Sequence, residues 1–274
     1  METALVPNAV QFHRAKELIT PRAPVYAFGP NEIEKVFGLS LGFDMLPILF
    51  TEADLIQAHE LNQYLIRQVG TGKDGKPLTV KSLCAQFENK LGDGKLLYNT
   101  DWYEEEVFFT TDSPRPGWAL VSRDIIPGSA GVNYILQTQA LSDYLVGKVY
   151  GGQELPAVYQ TAVDEFKAHK AELEGLLNTD WRKCAEGLAG LKLNRWFREK
   201  PVEVLYGLIV QHEVNHERLL EKTWTWTNQR SSYDSLVYVG YCASDGTDVH
   251  DGHPGYSPSH LGVRFFRSSA DLVP

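Results

Sequence analysis

His212-Glu213-Val214-Asn215-His216 is the segment whose residue types and spacing come nearest to a catalytic centre. On a helix, HExxH sets two imidazoles one turn apart, where they can bind zinc while the glutamate serves as general base. Residues 202–222 are expected to form a helix, so the pattern has the element it needs. Against it stand Glu217 and Arg218, which put charge where such helices usually continue apolar. Leu205, Ile209, His212, His216 and Leu219 also share one helical stripe, as in any helix at a core edge. A third zinc ligand is missing, because Glu221 is too close to fold back. A zinc-dependent hydrolase using His212, Glu213 and His216 is therefore the alternative reading. Asp245, Asp248 and Asp251 have the chemistry for calcium but not the spacing of an EF-hand loop, and read as solvated loop carboxylates. Gly70-Thr71-Gly72-Lys73 reads as a loop without the strand and helix that a nucleotide phosphate site requires. No cofactor is expected, and His13, His59 and His169 read as isolated surface or core residues.

The other chemistry-bearing stretch is defined by what it lacks. Residues 231–274 contain no Lys, Glu, Gln, Met or Trp, whereas residues 1–230 hold 53 of them. At that frequency the tail would carry about ten. Turn-rich β structure favours Gly, Ser, Asp and Tyr, but it does not remove Lys, Glu and Gln from a surface. Codons for all five missing types end in a purine, so a segment built from pyrimidine-ending codons and varied at the first two positions has this alphabet. Its polar residues include Tyr233, Asp234, Ser235, Tyr238, Tyr241, Ser244, Asp248, His250, Asp251, His253, Tyr256, Ser259, His260 and Arg264. Tyr supplies large contact area at low entropy cost and small polar residues adapt their hydrogen bonds, which is the chemistry of a binding surface.

These residues need a rigid frame. Leu236, Val237, Val239, Val249, Leu261, Val263 and Phe265 supply an apolar one. Tyr238 alternates with Val237 and Val239, and Arg264 with Val263 and Phe265, so in strands both point to the opposite face. Replacing Tyr238, Tyr241 and Tyr256 by Ser is accordingly expected to leave the fold intact.

Upstream, Asn31–Phe37 closed by Gly38 reads as a short capped helix. Thr51 and Asp54 open a longer one, in which Leu55, Ala58, Leu61 and Leu65 recur at helical spacing. Further helices are expected near 78–90, 130–149, 156–177, 182–192 and 202–222. Trp102–Phe109 is aromatic and β-prone, and Trp118–Val121, Trp224–Thr227, Leu236–Val239 and Leu261–Arg267 are strand candidates. Long helices followed by short strands and long loops give an α+β chain. A helical region is expected over 1–92 and a second domain over 93–274, with its ligand-binding part at about 231–264.

Trp224-Thr225-Trp226-Thr227, Val237-Tyr238-Val239-Gly240 and Leu261-Gly262-Val263-Arg264-Phe265 resemble the closing pattern of C-type-lectin domains of the formylglycine-generating-enzyme type. Joined to the restricted alphabet, they resemble the variable proteins of diversity-generating retroelements. That resemblance covers about residues 223–267. It implies a C-type-lectin-like C-terminal part in which the fourteen tail residues named above form a hypervariable ligand-binding face. Formylglycine-generating enzymes need two reactive cysteines, and Cys242 has no sequence-near partner, so their catalysis is not carried over and the chain is expected not to be an enzyme. Cys84, Cys184 and Cys242 read as reduced thiols.

The implied partner is a macromolecule, expected to be a protein, recognised by a receptor- or adhesion-like surface. A net charge of -9 without a basic run argues against nucleic acid. No apolar stretch approaches the ~20 residues of a membrane span. Met1-Glu2-Thr3-Ala4-Leu5-Val6-Pro7 lacks the regions of a secretory signal, which gives a cytoplasmic expectation, with surface display requiring another export route.

Overall fold

Where the β-branched and aromatic runs fall along the chain decides the architecture. In the computed structural model residues 8–20, 26–41 and 46–272 are described; the opening Met1–Pro7 segment lies outside them. Strands β1 (Ala27–Phe28), β2 (Gln63–Gln68), β5 (Gly117–Ile125) and β10 (Arg264–Ser268) form one sheet in the order β1-β2-β5-β10. β1 runs parallel to β2, and the other neighbours are antiparallel. The second sheet, β8-β7-β6-β9, comprises β6 (Trp224–Arg230), β7 (Leu236–Ala243), β8 (Gly246–Gly252) and β9 (Leu261–Gly262). A small hairpin, β3 (Lys90–Leu91) with β4 (Gly94–Lys95), lies between them in sequence.

The helices are α1 (Asn8–Ile19), α2 (Pro30–Phe37), α3 (Glu52–Glu60), α4 (Val80–Gln86), α5 (Val107–Thr110), α6 (Tyr134–Tyr144), α7 (Ala157–Thr179), α8 (Trp181–Gly190), α9 (Lys192–Phe197) and α10 (Pro201–Asn215). α6 continues into a π-turn at Leu145–Val149. The chain is α+β. The first 92 residues carry α1 to α4 but lend β1 and β2 to a sheet completed by β5 and β10, so hydrogen bonding crosses the expected 92/93 boundary.

α10 is buried from Pro201 to Gln211 on every side, the signature of a helix enclosed by protein. Its cluster joins Tyr64, Ile66, Val121 and Phe266 of the first sheet to Val237, Val239 and Val249 of the second. A second cluster packs α6 to α9 against the opposite face of the second sheet, on Trp224, Trp226, Leu236 and Tyr238. A third sets Ala15, Ile19, Leu55 and Ala58 against Ala27, Leu65, Trp118 and Leu120 on the outer face of the first sheet.

Local signals act as chemistry dictates. Gly38 closes α2 at φ 63°, and Thr51 Oγ1 accepts the Asp54 N–H at 3.1 Å while Asp54 accepts the Thr51 N–H at 2.8 Å. Three expectations fail. α3 stops at Glu60, Asn62 turns at φ 53°, and Leu65 lies in β2, because pairing with β1 and β5 outweighs helical spacing. Trp102–Phe109 is turn and short helix rather than strand; its rings pack on one another, Trp102 on Tyr103 at 5.1 Å and Tyr103 on Phe109 at 5.5 Å. The Gly- and Asp-rich segment expected as loop is β8, which borrows order from β7. Among the described residues no helix is long and apolar enough to cross a membrane.

Candidate ligand-binding recess

In β6 the Trp-x-Trp alternation places Trp224 and Trp226 on one face, and cross-strand pairing completes it. Trp224 faces Gly240, Trp226 faces Tyr238, Tyr238 faces His250 and Gly240 faces Asp248. The opposite face carries Val237, Val239 and Val249 into the α10 cluster. The separation of Tyr238 from its valine neighbours thus follows from strand alternation.

The second face is only partly covered by α6 to α9, and a cavity of ≈ 300 Å³ opens there, lined by Trp224, Tyr238, His250, Tyr256, Pro258, His260 and Leu261. The rings are inclined to one another. Trp224 meets Tyr238 at 5.1 Å and 75°, His250 at 5.6 Å and 52°, and Tyr241 at 5.1 Å and 50°. Tyr238 lies 6.0 Å from Tyr256, and Tyr241 stands edge-on to His260 at 5.5 Å. Below them, Tyr238 packs on Trp226 at 4.8 Å, and Trp226 on Tyr134 of α6 at 5.4 Å.

Tyr241 reaches the rim through a bulge. The register of β7 against β8 shifts between Gly240 and Ala243, and Tyr241 adopts φ 50°, a conformation L-residues rarely take. The chain tolerates that strain and gains a tyrosine turned outward, 37% exposed. The loop carrying Tyr256 and His260 is pinned by backbone hydrogen bonds: Gly131 N–H to Pro258 O at 3.2 Å, Tyr134 N–H to Pro254 O at 2.9 Å, and Trp224 N–H to His260 O at 2.9 Å. Such preorganisation lowers the entropy cost of binding. Burial pushes the Tyr238 phenol up, so it stays neutral and shares a hydrogen bond with the Tyr256 side chain. Burial also raises the Asp248 carboxyl, against the pull of His250.

The fourteen residues singled out in the sequence separate into groups. Tyr238, Tyr241, His250, Tyr256 and His260 meet in the recess, with Asp248 on the same strand face. Tyr233, Asp234 and Ser235 occupy a turn at the far end of β7. Its Ser232 N–H and hydroxyl are held by the Glu106 carboxylate at 3.0 and 2.5 Å, and Asp234 is paired with Arg230 at 2.6 Å. Asp251 accepts the Ser231 hydroxyl at 2.7 Å. His253 lies apart, tilted against Trp181 at 5.0 Å and 48°, with burial lowering its pKa. Ser244 sits against β4, where its carbonyl accepts the Lys95 N–H at 3.0 Å, and Ser259 is exposed beside Gly131.

Two of the set are not surface residues. Arg264 is 1% exposed, because β10 is covered on both faces; its guanidinium pairs with Glu199 at 2.7 and 3.0 Å. Tyr238 is 9% exposed and belongs to the α6–α9 core. The expectation for the triple tyrosine replacement is corrected accordingly. Tyr238→Ser is expected to cost about 3 kcal/mol, as for loss of a buried aromatic. Tyr241→Ser and Tyr256→Ser are expected to cost under about 1 kcal/mol each, as at surface positions. Urea unfolding of the three single variants checks this. Trp224 is the recess residue that the tail alphabet left out; the i, i+2 spacing of Trp224 and Trp226 was the signal that could have found it.

The HExxH segment of the alternative reading spans the end of its helix. α10 ends at Asn215, and His216 is the C-cap, at φ 56° and exposed to solvent. His212 instead packs over Gly92, where a Cβ would lie 2.3 Å from its Cε1, and its Nδ1 is 3.3 Å from Glu213 Oε1. Among the described residues no group of three or more His, Cys, Asp or Glu is placed to hold a metal ion. Gly70–Leu78 does connect a strand, β2, to a helix, α4, but the Gly72, Gly75, Lys76 and Leu78 amides are spent within the loop. Gly72 N–H bonds Lys76 O at 2.8 Å, and Leu78 N–H bonds Gly70 O at 2.9 Å. Cys84, Cys184 and Cys242 are free thiols, and burial raises all three.

The fold and the recess define an α+β chain with an aromatic-lined surface cavity. No protein-family model, no curated protein and no solved structure matches it.

Proposed function

We propose that this chain is a ligand-binding protein whose C-terminal region displays a diversified surface on a C-type-lectin-like scaffold, as in the variable proteins of diversity-generating retroelements, and that it acts by recognition rather than catalysis. The observation that carries the reading is convergence. Tyr238, Tyr241, His250, Tyr256 and His260, drawn from a stretch with a restricted alphabet, surround one recess on a sheet whose other face is fixed core. Rigid scaffolds presenting aromatic and small polar residues are what binding surfaces use. The order of the closing strands supports the scaffold: the Trp-x-Trp-Thr segment is β6, the glycine-containing segment is β7, and Leu261–Phe265 supplies β9 and enters β10. The ligand is a macromolecule, expected to be a protein, docking through aromatic anchors with adaptable polar neighbours.

The test is a library randomised at Tyr241, His250, His253, Tyr256, Ser259 and His260. Most members are expected to fold with Tm within about 5 °C of the parent, because these side chains are exposed or half-buried. Selection against unrelated proteins is expected to return binders. A library that mostly unfolds, or one that folds and never yields a binder, would overturn the reading.

A further inference from the structure

We infer that the recess takes a basic side chain of the ligand, a guanidinium or an ammonium group, held between ring faces beside Asp248. This rests on the binding reading above and names what the ligand must offer.

Geometry comes first. A flat exposed ring suits stacking by a planar or sugar ring. Here Trp224, Tyr238 and His250 are mutually inclined by 33° to 75° and line one cavity of ≈ 300 Å³, so its aromatic walls lie in different planes. Cavities for drug-sized ligands run from about 300 Å³ upward, so this one is suited to a single long side chain. Inclined aromatic walls around a cation are the arrangement that ring quadrupoles favour.

Charge points the same way. Between residues 231 and 263 the chain has Asp234, Asp245, Asp248 and Asp251 and neither Lys nor Arg. The basic residues flanking that stretch are already committed, Arg230 to Asp234 and Arg264 to Glu199. Asp248 is half-buried on the recess face of β8, and no hydrogen bond or ion pair to its side chain occurs among the described residues. Its electrostatic neighbour is the exposed His250 imidazole, and no Lys or Arg pairs with it among the described residues, so this half-buried carboxylate disfavours an anionic occupant and favours a cationic one.

The chain itself uses this chemistry elsewhere. Arg198 lies over Tyr134 at 3.7 Å, Arg115 over Phe266 at 4.3 Å and Arg182 over Trp181 at 4.5 Å. Among the described residues none of the chain's own cations stacks on Trp224, Tyr238, Tyr241 or Tyr256. The aromatic faces of the recess are left for a cation supplied from outside.

The experiment is a titration of the full chain, read at the Trp224 indole N–H by NMR and assigned with Trp224→Phe. Three probes are used: arginine amide, its neutral isostere citrulline amide, and methyl glucoside. Arginine amide is expected to give a saturable shift with Kd on the order of 1 mM. Citrulline amide is expected to bind at least about tenfold more weakly, and Asp248→Asn to weaken arginine amide roughly fivefold, an effect that shrinks as salt is added. Tyr256→Leu, at an exposed position, is a second variant expected to weaken binding without unfolding. Equal binding of citrulline and arginine amides, or tighter binding of methyl glucoside, would overturn the inference. Absence of any shift while the randomised library still yields binders would overturn it and leave the binding reading intact. Absence of both would remove the two together.

Discussion

Arg264→Ala is expected to lose about 4 kcal/mol of folding stability, the largest effect of any single substitution considered for the tail. The reason lies in what remains. Glu199 is fully enclosed, and Arg264 supplies both of its charge-assisted hydrogen bonds, at 2.7 and 3.0 Å, with Tyr64 within 3.4 Å of the same guanidinium. Removing the cation strands a buried carboxylate. Burial already raises the Glu199 pKa against the pull of Arg264, and without that pull it rises further. A group whose folded pKa lies above its unfolded value contributes no penalty at pH values below both. It costs stability progressively as pH climbs through the folded value. The deficit of Arg264→Ala is therefore expected to be small in acid, below the ordinary carboxylate range, and to grow toward neutrality. Urea unfolding of parent and variant across pH measures it. The double variant Glu199→Leu with Arg264→Met, which removes both charges, is expected to recover most of the loss. A deficit that does not change with pH would show that packing, not charge, is what Arg264 contributes.

Gly240→Ala comes second, with an expected loss of about 3 kcal/mol. Gly240 pairs with Trp224 across β7 and β6, and a Cβ there would stand 2.3 Å from the Thr223 carbonyl oxygen and 2.5 Å from the Trp224 Cα. Both are backbone atoms at the start of the neighbouring strand and cannot rotate away. The strands must part, and Trp224, the wall of the recess, moves with them. The same substitution at Gly175, within α7, where a Cβ meets nothing within 4 Å, is expected to gain about 0.5–1 kcal/mol from helix propensity. Thermal melts of the two variants should shift in opposite directions. Loss of the Trp224 response to arginine amide should accompany only the first. Similar behaviour of the two would mean that β6 and β7 are not packed as described.

The apolar frame was legible because burial in a strand leaves a period in the sequence. Leu236, Val237, Val239, Val249, Leu261, Val263 and Phe265 are all buried. The caps at Thr51 and Gly38 were legible because each is a local hydrogen-bonding or dihedral requirement met by its own residue. The recess was half legible. Alternation sends Tyr238 and Arg264 away from their valine and phenylalanine neighbours, but it does not tell whether the far side is water. For Arg264 that side is Glu199 and Tyr64; for Tyr238 it is Trp226 with α6 behind.

What the amino-acid order determined by itself is the set of local facts: an α+β chain, its caps, the faces of its last strands, and a tail of Tyr, Ser, Asp and His carried on a hydrophobic frame. The tertiary structure alone decided the rest. Leu65 became strand because β1 and β5 flank it, and the Gly- and Asp-rich segment became β8 because β7 offers a ladder. His216 became the left-handed cap of α10 because the helix ends at Asn215, so it lies outside the regular turn on which a HExxH reading depends. Residues from β6, β7, β8 and the loop after it became one recess because non-local pairing sets their register. The physical reason is common to all of these. Local propensities amount to fractions of a kcal/mol per residue, whereas pairing and burial against distant partners contribute several, so where the two disagree the distant partner wins.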